Sequence, residues 1–138
     1  VSAIMLLSDG NFENALEKIS TIRDIEYSKQ AIINSGVYLA RSIIDGLNKP
    51  SHIVTLCQKQ GETLSADCIK GVSANLAGFY FVGDNDNILD FCETEELSPK
   101  DRDYCFNGAL ETLGLLGFAN VAKLCNEIDI KYKDYCYE

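Results

Sequence analysis

Cysteine is the residue type in this 138-residue chain whose spacing could do chemistry; the six thiols stand at positions 57, 68, 92, 105, 125 and 136. A thiol can hold a metal, cycle in a redox pair, attack as a nucleophile or close a disulfide. Structural zinc asks for cysteines roughly two to four apart or histidines at ligand spacing, whereas here the nearest cysteines are eleven apart and the chain has one histidine. A redox Cys-x-x-Cys is absent. A nucleophilic thiol needs a base beside it, and His52 lies five residues before Cys57, more than one helical turn away. Disulfide formation is the reading left. Local pairing, Cys57–Cys68, Cys92–Cys105 and Cys125–Cys136, would close loops of ten, twelve and ten intervening residues. Six cysteines permit fifteen connectivities, and spacing alone does not exclude the others. Each local closure is worth on the order of 3 kcal/mol in the chain-entropy treatment. Cross-links of this kind call for an oxidising compartment, so the chain is expected to be extracytoplasmic: secreted, periplasmic or cell-surface.

The remaining polar clusters carry weaker chemistry. The acidic "ETEEL" at 93–97 and "DRD" at 101–103 straddle the second cysteine loop. Paired carboxylates can act as a glycosidase acid and base, but nothing in the flanking sequence buries either one. They read as a solvated turn, with Asp101 or Asp103 favourably placed near a helix N-terminus. "GDNDN" at 83–87 lacks the Asp-x-Asx-x-Asx-Gly progression and the distal glutamate of a calcium loop, and reads as a turn with an Asx helix cap. Gly108, Gly114 and Gly117 follow no strand, so a phosphate cradle is excluded; they read, with Gly71 and Gly78, as points of close helix–helix approach. Tyr104 and Tyr135 each directly precede a cysteine and are expected to pack over its disulfide. No catalytic residue, metal ligand or cofactor-binding residue is assigned.

The elements that must position these cysteines are helices. Ile32, Ile33, Gly36, Val37, Leu39, Ala40, Ile43 and Ile44 recur at three- and four-residue steps, as do Ile69, Val72, Leu76 and Phe79, and Phe106, Ala109, Leu110, Leu113 and Leu116. Alternation of the strand type is not evident. Breakers fall at "GLNKPS", "VGDNDN" and "LSPKD". Short first helices are therefore placed near 12–23, 51–59, 87–93 and 118–127, the second of them capped by Ser51. Longer second helices are placed near 27–46, 66–81 and 101–117, with an eighth beginning at about 132.

The cysteines also repeat. Cys57, Cys92 and Cys125 step by 35 and 33, and Cys68, Cys105 and Cys136 by 37 and 31. Their flanks repeat too, as "HIVTLC", "NILDFC" and "NVAKLC", each with Ile or Val four residues before the cysteine. Periods in the thirties are the mark of stacked helical hairpins. The expected fold is all-α, a right-handed α-solenoid of about four hairpins forming one domain, with hairpins near 11–46, 51–81, 87–117 and 118–138. Three are closed by disulfides and the first by apolar packing, and the last is incomplete. The chain is expected to be a piece of a longer protein.

"GNFENALEKI" resembles the opening of a tetratricopeptide-type helix, although the family's Trp, Leu-Gly and Pro markers are not in place. "AKLCNEIDIKYKDYCY" resembles more closely the cysteine-bearing helical-hairpin repeats of extracytoplasmic prokaryotic proteins. That resemblance implies a binding scaffold with no particular ligand. Net charge is −9, with fifteen acids against seven bases from position 57 onward. Such a surface repels nucleic acid and anionic membranes, and no apolar run is long enough to span a bilayer. The expected function is a non-catalytic protein-interaction or assembly module, its partner basic or a further copy. Glu13, Glu17, His52, Thr55, Asp90, Asn120 and Lys123 are the candidate partner surface on the first helices. A carrier of a small lipophile and an all-α hydrolase dependent on carboxylates are the alternatives.

Overall fold

The computed structural model describes residues 25–78 and 85–136, so the first helix expected near 12–23 lies outside the described residues. Six α-helices follow one another: α1 (Ile25–Ile44), α2 (Pro50–Gln58), α3 (Glu62–Gly78), α4 (Asp86–Cys92), α5 (Pro99–Leu116) and α6 (Phe118–Glu127). A 3-10 helix, Ile130–Cys136, stands where an eighth α-helix was expected. No strand occurs among the described residues.

The long helices start earlier than their apolar stripes suggest. Pro99 occupies the first turn of α5, its φ already set for a helix, and Ser98 caps it by accepting the Asp101 N–H at 3.1 Å. Pro50 does the same for α2 behind Lys49, so Ser51 is inside the helix and not its cap; its carbonyl accepts the Thr55 hydroxyl at 3.1 Å. Asn85 precedes α4, but its side chain makes no capping bond; the Asx cap read from "GDNDN" is thus corrected. Capping residues mark the ends of elements only where the side chain is free to turn back, and Asn85 is buried.

These earlier starts move the cysteines. Cys57 and Cys92 lie in the last turns of α2 and α4, as expected. Cys68 and Cys105 do not begin their helices but lie six residues inside α3 and α5. The pairs are Cys57–Cys68, Cys92–Cys105 and Cys125–Cys136, with Cα atoms 5.4, 5.5 and 5.8 Å apart. Each of the first two therefore clamps the end of a short helix to the second turn of the long one. With nine and seven residues, α2 and α4 are below the roughly 12–15 residues at which an isolated helix becomes marginal.

Helix α3 packs between α1 and α5, and each short helix packs on a long one: α2 on α3, α4 on both α3 and α5, α6 on α5. Leu39, Ile53, Ile69, Leu76, Ile88, Phe91, Phe106, Leu113 and Leu124 are fully buried. Each such side chain contributes about 1.5–3 kcal/mol by leaving water. Glycine sets how closely the long helices approach. A Cβ on Gly36 would lie 2.6 Å from the Gly71 backbone, and one on Gly108 would lie 2.5 Å from Ser73 Oγ. One on Gly78 would meet Thr112 Cγ2 at 2.7 Å. Gly114 departs from the expectation, since a Cβ there meets nothing within 4 Å, and Gly117 serves conformation instead, joining α5 to α6 at a φ of 140°.

Contacts between successive helix pairs recur at fixed offsets from the cysteines. Gln58, one residue after Cys57, donates from Nε2 to the carbonyl of Glu96, four residues after Cys92, at 2.8 Å. Glu93, one after Cys92, accepts at Oε1 from the N–H of Asp129, four after Cys125, at 2.7 Å. Ser65, three before Cys68, donates to Asp101, four before Cys105, at 3.0 Å. Arg102, three before Cys105, lies over the ring of Tyr132, four before Cys136, at 4.7 Å. Asp101 is only 5 % exposed, not part of a solvated turn, because α5 begins before it and carries it against α3.

Candidate functional site

Two surfaces could engage a partner. The first is the outer stripe of the short helices. Positions six and two before and one after each first cysteine fall on one helical face, by the three- and four-residue rule. On α2 this stripe is Ser51, Thr55 and Gln58; on α4 it is Asp86, Asp90 and Glu93; on α6 it is Ala119, Lys123 and Asn126. Thr55, Asp90 and Lys123 thus occupy the same place on three helices, and all three are exposed. His52 is exposed on α2 and Asn120, at the same offset on α6, is half-buried. Glu13 and Glu17 lie outside the described residues. The stripe is uncharged on α2 and wholly acidic on α4, where exposed Glu95 and Glu96 extend it.

The second surface is a groove of about 500 Å³ between α5 and the 3-10 helix, lined by Pro99, Arg102, Asp103, Asn107, Lys131, Tyr132, Asp134 and Tyr135. Arg102 is its structural centre. Its Nη2 donates to the Thr94 carbonyl at 2.7 Å and its Nε to the Cys92 carbonyl at 3.3 Å, closing the end of α4. Its guanidinium faces Tyr132, and Lys131 approaches the same ring at 5.2 Å. Tyr135 stacks on Phe106, ring centroids 4.6 Å apart. Partial burial pushes its phenol up to about 12, and the bond it gives to the Asp103 carboxylate adds to that shift. Most of the lining is exposed, so this is an open groove and not an enclosed chamber.

A second groove, about 590 Å³, separates the starts of α3 and α5 and is lined by Gln58, Gly61, Glu62, Ser65, Ser98, Pro99, Lys100 and Asp101. Compared with known proteins, the chain matches no family model, no curated protein and no solved structure. Arg102 and Gln58 were not singled out by sequence reasoning. A signal existed: each stands at a fixed offset from a cysteine, but the partner at that offset changes type from one helix pair to the next.

Proposed function

We propose that this chain is a stretch of right-handed α-solenoid, built of helical hairpins, that acts outside the cytoplasm as a non-catalytic protein-interaction scaffold. The observation that carries the reading is the recurrence of contacts at constant cysteine offsets. A side chain one after a first cysteine bonds main chain four after the next, twice over. Hairpins joined by one rule stack in one direction, and stacked hairpins offer an extended surface to other molecules. Three disulfides favour an oxidising environment for such a chain.

The partner surface in this reading is the stripe of the short helices, centred on Asp86 and Asp90 of α4. Its charge fits a protein with a basic face, and such contacts steer encounter and are weakened by salt. The test is affinity for a protein that copurifies with the domain, measured for the wild type, for Asp86→Lys with Asp90→Lys, and for Glu111→Lys as a control on the exposed side of α5. The expected outcome is at least a tenfold loss in the double variant, steeper salt dependence in the wild type, and no change in the control. Equal affinity for all three proteins would refute the assignment of this surface.

A further inference from the structure

Helix α5 keeps uncovered a stripe that its neighbour buries. The side of α3 facing α5 carries Ala66, Lys70, Ser73 and Ala77, and there Ser73, with the Lys70 carbonyl, receives Gly108. Ser73 and Ala77 are wholly buried. The same cysteine offsets on α5 fall at Asp103, Asn107, Leu110 and Gly114. Here Asp103, Asn107 and Gly114 are exposed and Leu110 is half-buried. The 3-10 helix reaches only the first part of α5, through Phe106 and Arg102. Beyond it, a side chain added at Gly114 would meet open space.

We infer that this stripe, with the tyrosine groove beside it, is the contact face between two copies of the chain related by a two-fold axis. Two observations select that occupant. The face continues the series of long-helix packings, α1 on α3 and α3 on α5, so another long helix fits it. Its charges are balanced, two bases (Arg102, Lys131) against two acids (Asp103, Asp134), in a chain of net charge −9. Two like-charged molecules meet at lowest electrostatic cost on such a patch, and a patch holding both signs can complement itself, as a two-fold interface requires. Tyr132, Tyr135 and Leu110 supply the apolar and aromatic contact area that such interfaces favour. The inference does not depend on the short-helix stripe, which lies on other helices.

The test is sedimentation of the intact chain over a range of concentrations, for the wild type and for Gly114→Arg. The expected wild type passes from monomer to dimer and stops there. Gly114→Arg should weaken the dimer at least tenfold, and because its Cβ meets nothing in the monomer, helical content should be retained and the melting temperature of the dilute monomer should not fall. Leu110→Asp, read the same way, should also yield monomer. A wild type that stays monomeric at millimolar concentration overturns the inference. So does a dimer that survives Gly114→Arg, or association that continues into open-ended polymers. None of these results bears on partner affinity at Asp90, which is read separately.

Discussion

One added carbon atom has opposite consequences at two glycines of α5, six residues apart. At Gly108 it would sit 2.5 Å from Ser73 Oγ and 2.8 Å from the Lys70 carbonyl, so two helices would have to part. Gly108→Ala should therefore destabilise by about 1–3 kcal/mol in urea unfolding. Gly114→Ala should instead stabilise by up to about 1 kcal/mol, the helix-propensity difference, since nothing opposes the methyl. Tyr135 gives a residue-scale prediction with a sign. Its folded value of about 12 lies above the ordinary 10.0, so the unfolded chain loses this proton first as pH rises. The stability it contributes is fully present below 10.0 and is lost progressively toward 12. Comparing wild type with Tyr135→Phe across that window should show the wild type losing stability faster; parallel curves would count against the Asp103 bond and the burial.

At the scale of elements, two of the disulfides hold α2 and α4 on their long partners. The seven residues of α4 carry three buried side chains, Ile88, Phe91 and Cys92, and the last of these is its tether to α5. Replacing Cys92 and Cys105 by serine should cost on the order of 3 kcal/mol, with amide exchange rising across α4 more than across α3. The three bridges differ in access. Cys57, Cys68, Cys92 and Cys105 are fully buried, whereas Cys125 and Cys136 are partly open to solvent. Mild reductant under native conditions should open Cys125–Cys136 first, and alkylation followed by peptide mapping reads the order directly. Labelling of Cys92 or Cys105 ahead of Cys136 would contradict it.

Across the whole molecule, Arg102 ties three segments that the chain brings together only by folding: the end of α4, the first turn of α5 and the 3-10 helix. Arg102→Ala removes two charge-assisted bonds and the cover of Tyr132, which should cost about 2 kcal/mol. The loss should be uneven, with hydrogen exchange rising in 130–136 and around Thr94 while α1 and α3 keep their protection. Uniform loss of protection would mean that Arg102 serves only global stability. Its neighbour Asp101 works toward the opposite side, joining α5 to α3 through Ser65. Adjacent residues of one helix turn thus hold both flanks of α5.

Much of this was readable in the residue order, because local rules govern it. Three- and four-residue apolar steps determine that the described chain is helical, and the short gaps between cysteines favour pairing across one loop over pairing between distant segments. Helix starts were misplaced at 66 and 101 because the apolar stripe marks the buried face and not the first turn, which is set by Pro99 and by the cap at Ser98. The burial of Asp101, the close approach at Gly108 but not Gly114, and the stacking of Tyr135 on Phe106 were decided only by tertiary structure. Each depends on which face of one helix meets another about a period away in sequence. Periodicity reports that a residue faces inward, but it carries no information about what stands opposite.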